Sequence, residues 1–124
     1  MLTAQGREIE VLSLAGEIDL LSFPEVSGAV DASLGRRPSH LVIEMSEVSF
    51  CSVAGFGLLA HASVVCGGRG CDLLLSGCRP AQRRLLSLMW PTVSFVHHRG
   101  LAEAFHAIAG LGVPAPRSSG TTRG

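Results

Sequence analysis

A single α/β domain, with a mainly parallel sheet of about four to five strands and about four helices, is the fold class this sequence predicts. Three observations lead there. Short apolar strand-like runs alternate with helical patterns four times between residues 8 and 109. Ser, Pro and Gly punctuate the joins where helices should start and stop. Finally, 124 residues at 47% hydrophobic content suffice for one well-filled core. Alternation of this kind implies a layered sheet, and right-handed crossovers restrict its topology.

The first strand comes from Ile9, Val11, Leu12 and Leu14 within residues 8–14. It ends in Ala15-Gly16-Glu17-Ile18-Asp19, where Gly16 relaxes the strand and two carboxylates project. Ser22-Phe23-Pro24-Glu25 is a capping-box pattern, and Pro24 fits a first turn because its missing N–H would be unsatisfied there anyway. Val26, Ala29, Val30 and Leu34 continue at helical spacing, which predicts a helix over 23–34 with Gly35 at its C-terminal cap. Arg36-Arg37-Pro38 is a solvated connector.

Leu41 to Met45 is a nearly continuous apolar strand, as expected for one covered on both faces. A polar loop over 46–52 then leads to a helix whose buried stripe is Leu58, Leu59, Ala62, Val65 and Cys66. Gly57, His61 and Val64 fall on another side, His61 as a solvated side chain, and Gly67-Gly68 ends the helix. Cys71 to Leu75 forms the next strand, and Gly77-Cys78-Arg79-Pro80 turns into a helix carrying Leu85, Leu86 and Met89. Trp90-Pro91 stops that helix. Val93 to Val96 is the last strand, and Leu101, Ala104, Phe105 and Ile108 mark the last helix. Residues 1–112 form the domain, while 113–124 lack periodicity and are expected to be a disordered tail.

The bulk numbers exclude several functions. Net charge is zero, so nothing favours nucleic acid or an anionic membrane, and no apolar run is long enough for membrane insertion. Every basic residue is Arg and none is Lys. The N-terminus carries no secretory pattern, which points to a cytoplasmic protein with reduced cysteines. Cys51, Cys66, Cys71 and Cys78 match no CxxC spacing, and His97 and His98 are far downstream, so no metal site and no cofactor are expected.

The chemistry worth weighing lies where strands meet helices, because ligands of parallel sheets gather at the strands' carboxyl ends. Asp19, Ser22, Ser49, Ser52 and Cys78 are all placed on loops of that kind. Ser52 sits where an N-cap would, at a helix opening whose free N–H groups and dipole favour a phosphate. Cys51 is next to it, where burial outweighs activation as a nucleophile. Cys78 and Arg84 match a Cys-x5-Arg phosphate loop, but its interior has no glycine and Pro80 removes a donor. No nucleotide-binding, metal-helix or hydrolase-elbow motif is present, and no enzyme activity is expected.

In their order and spacing these motifs resemble the STAS family, in particular its anti-sigma factor antagonist type, over roughly residues 8–109. The first is Leu12-Ser13-Leu14-Ala15-Gly16-Glu17-Ile18-Asp19 followed by Pro24 and its helix. The second is Leu41 to Phe50, then the loop, then Gly55-Phe56-Gly57-Leu58-Leu59. The third is Leu73 to Leu86 with its Pro80. The resemblance implies a binding module for partner switching in transcription regulation. Its partner would be an anti-sigma factor or a serine kinase of the ATPase-fold type, whose capture releases a sigma factor. An accessory or sensor subunit of a transporter or signalling assembly is the alternative. Family members carry Asp-Ser-Ser/Thr-Gly before the second helix, and the partner phosphorylates its hydroxyl. Here the loop is Ser52-Val53-Ala54-Gly55, so Ala54 occupies the acceptor position. Phosphorylation is therefore absent or displaced to Ser52 or Ser49. The partner-facing set implied is Glu17, Asp19, Ser22, Phe50, Ser52, Val53, Ala54, Gly55, Gly57 and His61, with core packing the competing use of Phe50 and Phe56.

Overall fold

The computed structural model describes residues 2–4 and 7–110, so the expected tail over 113–124 lies outside the described residues. Strands β1 (Leu2–Ala4), β2 (Arg7–Ile18), β3 (His40–Cys51), β4 (Asp72–Ser76) and β5 (Val96–His98) form one sheet in that same order. β2 to β5 are mutually parallel, and β1 pairs antiparallel with β2 at the edge. The helices are α1 (Phe23–Gly35), α2 (Val53–Gly68), α3 (Pro80–Met89) and α4 (Leu101–Gly110). The predicted class, strand number and helix number hold. The short β1 was not foreseen, because three residues are too few to display a period.

A strand order that follows the sequence, built from right-handed crossovers, must carry its linking helices on one face. The core obeys this. Val30 and Leu34 of α1, Phe56, Leu59 and Ala62 of α2 and Leu86 of α3 pack with Leu41, Ile43, Met45, Leu73 and Leu75. α4, which follows the last strand, covers the opposite face, where Ala104 and Ile108 meet Ile9, Val42 and Leu74. β3 is thus buried on both sides over Leu41–Met45, as its unbroken apolar run requires.

Four local expectations fail for identifiable reasons. β3 does not stop at Met45 but runs to Cys51, so the residues read as a polar loop belong to a strand. Its pairing with β2 slips between Ser13 and Ala15 and again between Gly16 and Glu17. Such bulges leave two exposed residues for each buried one, and the period-2 signal vanishes. The capping box at Ser22 does not form: its hydroxyl makes no cap bond to α1. At the other end of α1 the left-handed residue is Arg37 (φ 53°), not Gly35, which is still helical. β5 begins at Val96, where Val93 was expected to start it. A turn in which Val93 N–H donates to Trp90 C=O (3.1 Å) consumes the intervening residues.

Candidate functional site

The C-terminal ends of β2 and β3 deliver two segments side by side. Glu17 pairs with Phe50 and Ile18 with Cys51, and Ser52 N–H donates to Ile18 C=O at 2.8 Å. The turn after β2 and the first residues of α2 therefore leave the sheet together. Ser52 is extended (φ −75°, ψ 169°) and its Oγ accepts from Gly55 N–H at 3.2 Å, the N-cap geometry expected of it. Ser52 C=O accepts the first helical bond, from Phe56 N–H at 3.0 Å. No acidic side chain lies in the first turn of α2, so its positive end is uncompensated.

Gly55 is fixed by packing. A Cβ there would lie 2.7 Å from Ile18 Cγ2 and 2.8 Å from Cys51 Sγ, so the start of α2 can sit this close to β2 and β3 only with glycine. Gly55 is consequently buried and turned away from any partner, unlike the exposed Val53 and Ala54 between it and the cap. Gly57 is half-buried against Trp90, and His61 is exposed one turn further along α2.

The turn between β2 and α1 is held from within. Asp19 Oδ1 accepts from the N–H groups of Leu21 and Ser22, both at 3.1 Å. The Ser22 hydroxyl accepts from Asp19 N–H at 3.0 Å and donates to Glu17 C=O at 2.6 Å. This Asx-type turn explains why Ser22 does not cap α1, and it gives the Asp19 carboxylate a structural duty. It also forces Leu20 and Leu21 outward, 84% and 91% exposed. Phe50 and Val53, each 53% exposed, stand on the adjoining segments. The expectation that Phe50 packs in the core is overturned, because the bulged end of β3 points it outward; Phe56 is buried as expected. The leucines were missed, although two adjacent leucines in a turn between a strand and a helix are a readable signal of exposed apolar surface.

Beside Phe50 a groove of about 240 Å³ is bounded by Ser49, Phe56, Arg79, Gln82 and Leu85. The Arg79 guanidinium donates to Val48 C=O (3.0 Å) and Ser49 C=O (3.2 Å), which pins the end of β3 to the start of α3. Gln82 Oε1 accepts from Arg79 N–H at 2.8 Å and caps that helix. Ser49, expected on a loop, lies in β3 with an exposed side chain. The reactive-thiol readings lose ground here. Burial, with Cys78 nearby, pushes the Cys51 thiol up to about 12, and burial pushes Cys78 up to about 11. Both are protonated at neutral pH, and Arg84 is an exposed helix residue.

The structure thus gathers Glu17, Asp19, Ser22, Phe50, Ser52, Val53 and Ala54 at one end of the sheet. It buries Gly55 and sets His61 roughly 12 Å along α2 from Val53. Among the described residues no group of three or more His, Cys, Asp or Glu could hold a metal ion, and no helix is long and apolar enough to cross a membrane.

The site's elements lie within the span of a family match. The family model described as "Mlab, STAS domain" matches residues 1–89. The anti-sigma-F factor antagonist RsfB of Mycobacterium tuberculosis is 35% identical over 60 residues, 48% of this chain and 49% of the relative. The chain therefore spans about half the length of the curated relatives it matches. Among solved structures, an anti-sigma factor antagonist from Mycobacterium paratuberculosis superposes with a TM-score of 0.72 at 26% identity, covering 88% of this chain and 93% of that one. A sulfate transporter family protein from Wolinella succinogenes shares the fold, with a TM-score of 0.67 at 20% identity over 83% of this chain and 85% of that one.

Proposed function

The chain belongs to the STAS domain family, and from that footing we propose that it is an anti-sigma factor antagonist-like binding module. Its docking face is the joined turn and helix start that carry Leu20, Leu21, Phe50 and Val53. One observation carries this reading: four large apolar side chains, on the Asp19 turn, the bulged end of β3 and the first residue of α2, are exposed where these segments leave the sheet. Apolar anchors of this kind, with the exposed Glu17 and Glu47 on the paired strands β2 and β3, suit a protein partner with a basic rim. The names of the M. tuberculosis relative and the M. paratuberculosis neighbour support an anti-sigma factor as that partner, and the family resemblance adds a serine kinase of the ATPase-fold type as the other candidate. Its capture would release a sigma factor.

Ala54 is exposed in the first turn and has no hydroxyl to accept phosphate. The Ser52 hydroxyl is engaged as the cap, and Ser49 lies in a strand. The module therefore binds without a phosphorylation switch. The test is titration of the full chain with a purified anti-sigma factor of the same organism, and intact-mass measurement after incubation with that factor and ATP. Binding that falls at least ~10-fold in Leu21→Glu and Phe50→Glu, with no added phosphate, is expected, since buried aromatic and aliphatic anchors dominate such interfaces. Absence of binding by the unaltered chain overturns the docking role, and stoichiometric phosphate on Ser52 or Ser49 overturns the missing switch.

The transporter-family neighbour fits a second reading, in which the same face docks onto a transporter subunit. Binding to such a subunit with none to the anti-sigma factor would select it.

A further inference from the structure

At the far end of α2 the helix stops in a Schellman-type turn. Arg69 is the C-cap, Gly70 takes the left-handed conformation (φ +71°), and Cys71 N–H donates to Cys66 C=O at 2.9 Å. In such turns the residue three before the cap touches the second residue after it, usually as a small hydrophobic contact. Both positions here are cysteine. Both side chains are nearly buried, Cys66 1% and Cys71 8% exposed, and the Cys71 thiol donates to Asp72 C=O at 3.8 Å. A pocket of about 50 Å³ lined by Leu34, Arg37, Pro38 and Arg69 opens onto both. That exceeds the roughly 15 Å³ a single water requires, so a molecule of two oxygen atoms fits. Arg69 is fixed at the pocket by donating to Leu34 C=O at 3.1 Å.

We propose that Cys66 and Cys71 are a redox-active dithiol, which a hydroperoxide entering this pocket oxidises to a disulfide across the C-terminal end of α2. The backbone hydrogen bond holds the two residues at the ends of one tight turn, and both line the same pocket. The Cys71 thiol beside it lowers the Cys66 thiol from its ordinary range; burial opposes this, Arg69 reinforces it and Asp72 opposes it. The Cys66 thiol, followed by burial, raises Cys71. Cys66 is therefore the attacking sulfur and Cys71 the resolving one.

The Cys66 thiolate attacks one peroxide oxygen and the O–O bond breaks. Cys66 becomes a sulfenic acid, and the departing hydroxide takes a proton as water. The Cys71 sulfur then attacks the Cys66 sulfur, the S–O bond breaks, and hydroxide leaves with the Cys71 proton as a second water. Two thiols and one hydrogen peroxide give one disulfide and two waters. Neither Cys51 nor Cys78 is drawn in.

The full chain, treated with equimolar hydrogen peroxide and then denatured, should show maleimide-reactive thiols falling from four to two. Arg69 lies between the two cysteines, so trypsin separates them, and fragment ions of the linked peptides should place the bond at Cys66–Cys71. In Cys71→Ser, Cys66 should stop at a dimedone-reactive sulfenic acid; in Cys66→Ser, Cys71 should stay reduced. Four thiols after treatment, a bond between Cys51 and Cys78, or over-oxidised Cys66 without a link would each overturn the proposal. The peptide map on the unaltered chain decides even where a variant fails to fold. The 16 residues of α2 put this site about 24 Å from the docking face, so its test does not depend on a partner.

Discussion

Replacing Ser52 separates its structural duty from any switching duty. Ser52→Ala removes the side-chain acceptor for Gly55 N–H at the start of α2, a bond of 3.2 Å. Loss of an N-cap of this kind costs about 1 kcal/mol. With an unfolding entropy near 2.1 cal/mol/K per residue over about 100 ordered residues, that lowers Tm by roughly 4–5 °C. Ser52→Asp keeps an acceptor and adds a negative charge at the positive end of a helix, so its stability should match the parent or exceed it by a few tenths of a kcal/mol. Urea titrations with constant m-values, alongside thermal melts, measure both. Partner binding supplies the second axis. If Ser52 is only a cap, Ser52→Ala binds the partner as the parent does once melting is accounted for, and Ser52→Asp loses little. An unchanged Tm in Ser52→Ala would refute the capping argument. Wild-type stability in Ser52→Asp with binding abolished would instead identify this hydroxyl as the displaced switch.

Gly55→Ala gains about 1 kcal/mol of helix propensity but must overpack against Ile18 and Cys51, which costs about 1–3 kcal/mol; a net loss near 1 kcal/mol in urea is expected. A stabilised variant would mean that the contact relaxes freely. Phe50→Ala removes a side chain already 53% exposed, so stability should stay within about 0.5 kcal/mol while partner affinity falls. Equal losses in both would return Phe50 to the core. Burial, helped by Arg83 and His98, holds His97 below its ordinary value of 6.5. Above that pH both states are neutral at this group. As pH falls below it the unfolded chain takes up the proton first, so stability is lost on acidification. His97→Gln should flatten the fall in Tm between pH 7 and 5, about the window of an ordinary histidine; parallel curves would exclude His97 as the source.

The helices and the central strand were legible because their signals are local. The 3.6 period, with Ser22 ahead of it and Pro24 in its first turn, located α1, and the run Leu41-Val42-Ile43 announced a strand buried on both faces. What escaped is set by pairing across the sheet. The bulges opposite Ala15 and Gly16 extend β3 through Ser49 and Phe50, and no property of residues 46–51 taken alone encodes the slip. The same slip turns Phe50 outward, so an error in one strand end became an error about an anchor of the candidate site. Ser22 misled for the opposite reason. Its pattern with Glu25 is a genuine capping signal, but Asp19, three residues upstream, offers the hydroxyl a better-placed partner set.

The opening of α2 also shows which of its positions the fold constrains. Position 52 must supply an acceptor to Gly55 N–H, and position 55 must lack a Cβ because Ile18 and Cys51 stand under 3 Å from where it would be. Those two demands account for the first and last residues of Ser52-Val53-Ala54-Gly55. Ala54, between them, is exposed in a first helical turn, a position that tolerates almost any side chain. A hydroxyl there would bring no stability, and its absence costs none. The identity of residue 54 is therefore free to follow regulation alone, while Ser52 and Gly55 persist for structural reasons whether or not a switch exists. On this argument Ala54→Ser should fold as the parent does within about 0.5 kcal/mol. If the docking face is read correctly, it should also acquire a phosphate from an ATPase-fold kinase that leaves the parent unmodified.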